Sequence, residues 1–192
     1  MGFILALLLG CEAELKVGGD TAVEVVTVVE DPDLGIHVTE TCGQTAIGDV
    51  ACNFALLDQN ENFWQLYEEG TTVTVLDFST SWCGPCQAAA DSTQALQDYY
   101  EGRATIVTIL IDGPQSGISP TSEDIDVWVE AHGITSAPIL QGSRELMLDV
   151  TGISGYSISA FPTYIYLSKG RIHGGHSGFS EEYIRQTIDG LL

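Results

Sequence analysis

A β-branched, apolar run, Val73-Thr74-Val75-Leu76-Asp77-Phe78-Ser79, gives way within a few residues to a segment from Gln87 to Tyr100 that is rich in Ala and Gln and free of Gly and Pro. The first reads as a buried strand and the second as a helix. Trp82-Cys83-Gly84-Pro85-Cys86 stands between them. A strand handing over to a helix at this point fixes where the chemistry sits. Cys83 falls at the helix N-terminus, where unpaired N–H groups and the positive end of the helix dipole stabilise a thiolate. A thiol ordinarily near 8.5 falls to about 3.5–7.5 in such a setting, and the thiolate is the reactive species. Pro85 suits the first helical turn, where its missing N–H costs nothing. Two cysteines at this spacing can close a small disulfide ring and reopen it. The competing reading, half of a zinc site, needs a second pair or histidines in register. Cys42 and Cys52 lie upstream at a different spacing, and His132, His173 and His176 are remote in sequence. Redox chemistry without a metal is the expectation.

The rest of the chain supplies the alternation of strands and helices that such a pair needs. Phe54 to Asp58 and Phe63 to Leu66 read as a hairpin around Gln59-Asn60-Glu61-Asn62. Thr105 to Ile111 is a continuous apolar strand of the kind buried on both faces of a parallel sheet. Beyond a loop from Asp112 to Pro120, Ser122–Ala131 is expected as a helix with Ser122 as its cap. Ala137 to Leu140 is expected as a short extended piece, and Arg144–Val150 as a short helix. Thr163 to Leu167 and Arg171 to Gly175 form a second hairpin turning at Ser168-Lys169-Gly170. A last helix runs from about Ser180 to Leu191, with a serine cap and acidic first turn. The order implies an α/β fold with a central mixed β-sheet flanked by helices. His173 and His176, three apart in a strand, point to opposite faces and read as surface residues rather than as a shared metal site.

The N-terminal part is of a different character. Phe3 to Leu9 is an apolar run too short to span a bilayer. Its ending, Leu8-Leu9-Gly10-Cys11, resembles the bacterial lipoprotein signal, which implies cleavage before Cys11 and acylation of that cysteine, with membrane affinity supplied by the acyl chains. No Lys or Arg precedes the run, a departure from export signals. A plain secretory signal or a buried strand are the alternatives. Residues 12–21 suit a tether, Ala22 to Val29 is β-prone, and a short strand is expected near His37, so 11–47 reads as tether and N-terminal β extension. With Cys11 lipidated and Cys83 and Cys86 paired, Cys42 and Cys52 remain to pair with each other as a structural disulfide, which an oxidising compartment allows. Two free buried cysteines, or one held near the active pair, are the other arrangements. The balance of 27 acidic against 6 basic residues, a net charge of −21, excludes nucleic acid as a partner, because phosphate binding needs basic surface.

Strand, WCGPC, helix, strand, helix, Pro-led strand, strand and helix in this order resemble the thioredoxin superfamily over roughly residues 48–192. The hairpin upstream and the insertion between 112 and 155 resemble its membrane-tethered, TlpA-like branch of extracytoplasmic thiol–disulfide oxidoreductases. The resemblance implies that Cys83 is the nucleophile and Cys86 the resolving thiol. Exposure is the physical ground for the order: the first cysteine sits at the helix end and the second is shielded one turn on. Trp82, Gly84 and Pro85 would border the substrate, although Trp82 reads equally well as a core tryptophan. Asp77 falls where the family carries a buried acid behind the cysteines, whose raised pKa suits proton exchange with the resolving thiol; the alternative is an aspartate at a strand end facing water. Phe161-Pro162 matches the family's cis-proline, beside which a substrate chain pairs in strand fashion. Phe161 departs from the small or β-branched residue usual there, and Gln87 from the common basic residue after the second cysteine.

The function expected is therefore an exported, lipid-anchored oxidoreductase on the periplasmic side of a bacterial membrane. It would reduce or isomerise protein disulfides, use no cofactor beyond the Cys83–Cys86 pair, and draw electrons from an upstream donor in the membrane. A peroxiredoxin-like enzyme is a weaker alternative, for want of a Thr and Pro preceding the reactive cysteine. A binding module on the same scaffold would have no need of Cys83, Cys86, Asp77 and Pro162 together.

Overall fold

A computed structural model of the chain describes residues 46–147 and 156–192, together with the backbone of His37 and Val38. Cys11, Cys42, the β-prone run Ala22 to Val29 and the last residues of the segment Arg144–Val150 lie outside the described residues.

Among the described residues two sheets make up the fold. The smaller is antiparallel and runs β1 (His37–Val38), β2 (Phe54–Leu57), β3 (Phe63–Gln65). Its hairpin is tied by the Asp58 carboxylate, which accepts the backbone N–H groups of Asn60 and Asn62 at 2.8 and 2.9 Å. The larger has five strands: β4 (Val73–Thr80), β5 (Ala104–Asp112), β6 (Ile139–Gln141), β7 (Thr163–Ser168) and β8 (Arg171–Ser177). Their spatial order is β6-β5-β4-β7-β8. β4, β5 and β6 run parallel, whereas β7 and β8 join antiparallel, so the sheet is mixed as expected. Every residue of β4 and β5 is buried, which is why both read as predominantly apolar, β-branched runs. The turn from β7 to β8 places Lys169 and Gly170 at positive φ, the geometry whose twist matches a tight hairpin.

Alternation along the strands sorts the core into two faces. Val73, Val75, Ile106, Tyr164 and Tyr166 face α1 (Gly84–Tyr99) and α3 (Glu181–Leu191), packing on Leu96, Ile184 and Ile188. Further along the same face, Leu110 and Ile139 meet α2 (Ser122–Ala131) through Ile125 and Trp128. Leu76, Phe78, Val107 and Ile109 point the other way, onto Phe54, Leu56 and Leu66 of the N-terminal β layer and onto Tyr156. Among the described residues, then, the α-helices cover one face and the small sheet the other.

Three local expectations change. The cap of α2 is Thr121 rather than Ser122: Asp124 N–H donates to the Thr121 hydroxyl while its carboxylate accepts the Thr121 N–H, a capping box that Asp124, three residues on, decides. Of the described part of the segment expected as a helix, 144–147, only Arg144–Leu146 is helical, a single 3₁₀ turn that ends where Met147 becomes extended. His176 is not a surface residue. It is half-buried, stacked on Tyr164 and Tyr166 and touching Tyr183 edge-on, because β8 bulges opposite Tyr166–Leu167 and brings it over the tyrosines. His173 is exposed.

Candidate active site

β4 ends at Thr80 and α1 begins at Gly84, so only Ser81, Trp82 and Cys83 form the turn between them. Cys83 is the helix cap. Its Sγ accepts the Cys86 N–H at 3.3 Å, and its carbonyl accepts the N–H groups of Cys86 and Gln87. Sulfur thus takes the place of the usual capping oxygen, which is the electrostatic setting expected for a stabilised thiolate. Pro85 lies in the first turn. Cys83 and Cys86 are joined by a disulfide with Cα atoms 5.2 Å apart.

Both cysteines are more enclosed than the sequence implies. Cys86 has no exposure and Cys83 only 5%, so the difference in access between them is small. What the turn shows to solvent is Trp82, at 44% exposure, with Gly84 and Pro85. The enclosure has a clear source. Phe161 packs against the cluster that holds both cysteines, and its carbonyl oxygen lies 3.5 Å from Cys83 Sγ. Trp82 meets the Phe161 ring edge-on at 6.2 Å. The Phe161–Pro162 peptide is cis, at the start of β7. Cys83, Trp82, Phe161 and Pro162 are thus brought together from positions about eighty residues apart.

Asp77 is buried at 2% exposure, on the face of β4 that α1 and α3 cover, which removes the reading of a strand-end residue facing water. The Ser79 hydroxyl donates to its Oδ1 at 2.7 Å. Burial pushes its carboxyl up to about 7, with the Ser79 hydrogen bond working in the opposite direction.

Several residues that the sequence leaves unmarked complete the turn. The Gln87 side chain donates to the Ser81 carbonyl at 2.8 Å, so this departure from a basic residue closes the turn instead of supplying charge. Asp112, fully buried at the end of β5, accepts the Trp82 indole N–H at 3.1 Å and the Gly117 N–H at 2.9 Å. It also accepts both arms of Arg144, at 2.8 and 2.6 Å. Burial alone would raise its carboxyl, but the Arg144 hydrogen bonds, with those of Gly117 and Trp82, hold it below the usual carboxylate range. One signal for this pair exists in the sequence: an acid ending an apolar strand, in a chain with only 6 basic residues. Nothing in the sequence says which cation answers it. Cys52 is buried in the core on the small-sheet side; its expected partner, Cys42, lies outside the described residues.

Residues 55–125 match the family model described as Thioredoxin, a span that includes the strand, the cysteine turn and α1. The fold is thioredoxin-like. A thioredoxin from Chlorobaculum thiosulfatiphilum is 34% identical over 53 residues, 28% of this chain and 49% of that protein, so the chain spans about half the length of the curated relative it matches. Solved structures match over far more of the chain. A protein from Chlorobium tepidum, described as a thiol:disulfide interchange protein DsbE, superposes with a TM-score of 0.61 at 21% identity, covering 77% of this chain and 99% of its own. The exposed lipoprotein thioredoxin of Streptococcus pneumoniae gives 0.58 at 23% identity over 72% and 98%. StoA from Bacillus subtilis gives 0.55 at 21% over 74% and 98%. At such identities the likeness is one of fold. Among the described residues no helix is long and apolar enough to cross a membrane.

Proposed function

We propose that this protein is an exported, membrane-anchored thiol–disulfide oxidoreductase of the TlpA-like kind, which reduces or isomerises disulfides in other proteins. The observation that carries this reading is the Cys83–Cys86 disulfide at the N-terminus of α1, with Cys83 Sγ facing the Phe161 carbonyl beside Pro162. The lipoprotein-type ending at Cys11, and neighbours that include an exposed lipoprotein thioredoxin, support export and anchoring. A disulfide between Cys42 and Cys52 belongs to the same reading.

In the reducing direction the Cys83 thiolate attacks one sulfur of a substrate disulfide. That S–S bond breaks, a mixed disulfide forms, and the other substrate sulfur leaves as a thiolate. Cys86 then gives up its proton and attacks Cys83 Sγ, expelling the second substrate sulfur and closing the Cys83–Cys86 bond. Two electrons pass from the pair to the substrate; of the two protons its thiols take up, one is that of Cys86 and the other comes from solvent, to which Cys83 had already released its own. Asp77, with a carboxyl near 7 on the face covered by α1, takes the Cys86 proton. Trp82, Gly84, Pro85 and Phe161 form the surface against which the substrate chain lies, with backbone pairing next to Pro162. Reopening the pair needs two electrons from a donor, placed by this reading in the membrane; no further cofactor enters.

The test is turnover of a protein disulfide driven by dithiothreitol. Wild type is expected to accelerate it, Cys83→Ala to abolish the acceleration, and Cys86→Ala to accumulate a mixed disulfide through Cys83. Absence of both turnover and trapping overturns the proposal.

A further inference from the structure

Trp82 is anchored by one hydrogen bond, from its indole N–H to Oδ2 of Asp112 at 3.1 Å. That carboxylate is itself held from the far side by Arg144, whose Nε reaches Oδ1 at 2.8 Å and whose second nitrogen reaches Oδ2 at 2.6 Å. The carboxylate has no exposure and the guanidinium is about half exposed, at 49%. Arg144 therefore grips from the surface a group that solvent does not reach. It stands just beyond β6, in the segment inserted between β5 and β7, whereas Trp82 and Cys83 belong to the turn after β4.

We propose that Arg144 is a positioning residue for the Cys83–Cys86 pair, acting through Asp112 to hold Trp82 edge-on against Phe161 over the active-site sulfur. The ring of contacts closes on itself: Arg144 fixes Asp112, Asp112 fixes Trp82, Trp82 abuts the ring of Phe161 at 6.2 Å, and the Phe161 carbonyl lies 3.5 Å from Cys83 Sγ. A bidentate guanidinium–carboxylate pair sets direction as well as charge. The second carboxylate oxygen is directed at the indole only while the first is held. Without Arg144, Asp112 is a buried carboxylate with two neutral donors, Trp82 and Gly117, and the pressure on it is to rotate toward water or to take a proton. Either change weakens the hydrogen bond to Trp82, and with it the wall that leaves Cys83 only 5% exposed. Arg144 thereby links the inserted segment to access at the reactive sulfur.

The inference rests on the proposed exchange chemistry for its meaning, but its test has a part independent of it. Two rates are measured on Arg144→Gln, Arg144→Lys, Trp82→Phe and the double variant Arg144→Gln/Trp82→Phe: alkylation of reduced Cys83 by iodoacetamide on its high-pH plateau, and turnover of a protein disulfide. Trp82→Phe keeps an aromatic ring and loses the N–H together with the fused five-membered ring. Arg144→Gln and Trp82→Phe are each expected to raise the alkylation plateau and lower protein turnover by about 3- to 10-fold, the net scale of one ordinary hydrogen bond. Arg144→Lys restores charge without the fork and is expected to recover only part of each change. The double variant is expected to match the larger single effect, because both changes cut the same chain. Additive effects in the double variant, or Trp82→Phe at wild-type rates, overturn the inference, and Arg144→Lys with Trp82→Phe carry the test if Arg144→Gln does not fold. A wild-type protein without turnover would instead sink the exchange chemistry, leaving the alkylation comparison to decide the role of Arg144.

Discussion

Oδ1 of Asp77 accepts the Ser79 hydroxyl at 2.7 Å, two residues along the same strand, with both side chains inside the sheet–helix interface. One neutral donor does not compensate for burying a charge, and the Asp77 carboxyl stands at about 7 instead of the ordinary carboxylate range. Between about pH 4 and 7 the folded chain keeps a proton that the unfolded chain, with its aspartate near 3.9, has released. Stability contributed by this group is therefore present at low pH, falls as pH rises through that window, and is flat above it, by roughly 4 kcal/mol at most. Asp77→Asn removes the slope. Urea unfolding of the oxidised protein should find the variant about 1–3 kcal/mol more stable than wild type at pH 8, with the difference gone near pH 4. An equal difference at both pH values would contradict a buried, protonatable Asp77.

His176 makes the opposite prediction. Its ring lies 4.9 Å from Tyr164 and 5.7 Å from Tyr166, nearly parallel to both, and burial holds it below its usual value. The fold prefers the neutral ring, so below about pH 6.5 the unfolded chain takes up a proton that the folded one resists, and acid destabilises. His176→Phe keeps the stack and deletes the proton site. Thermal unfolding at pH 7.5 and pH 5 should show a smaller difference between the two pH values for the variant than for wild type; the same difference would show that His176 does not titrate with folding.

Gly142 follows β6 at the edge of the large sheet and precedes the turn that carries Arg144. A Cβ there would stand 2.6 Å from Ile109 Cγ2 and 2.8 Å from the Leu110 carbonyl oxygen, the latter a backbone atom that cannot swing away. Its own N–H donates to that same carbonyl at 2.9 Å. Gly142→Ala should therefore cost about 1–3 kcal/mol in chemical denaturation, and loosen the Arg144 segment with it. A variant as stable as wild type would mean that the edge strand shifts freely.

How far these features can be read from the sequence depends on how local their causes are. The strand ending at Thr80, the cysteine turn, α1 and β5 follow from contiguous patterns: a predominantly apolar, β-branched run, a proline in a first turn, a segment of helix formers. The Ser180 cap of α3 is equally local. The α2 cap goes to Thr121 because two adjacent hydroxyl residues compete and the reach of Asp124 settles it. The site divides in the same way. Cys83, Cys86 and Asp77 announce themselves by type and place. The Asp112–Arg144 pair joins residues 32 positions apart across an insertion, and no periodicity reports such a meeting. The enclosure of Cys83 by Phe161 is likewise a tertiary fact, since 78 residues separate them.

Thiol–disulfide exchange requires the Cys83–Cys86 pair to be a reversible two-electron couple. Equilibrating the protein in dithiothreitol or glutathione buffers of graded poise, then alkylating free thiols and weighing the products by mass spectrometry, measures this directly. One cooperative two-electron transition is expected, confined to Cys83 and Cys86 and within the range of roughly −270 to −120 mV that thioredoxin-fold couples span. A pair that stays oxidised in every buffer, or reduced in every buffer, would contradict the exchange chemistry.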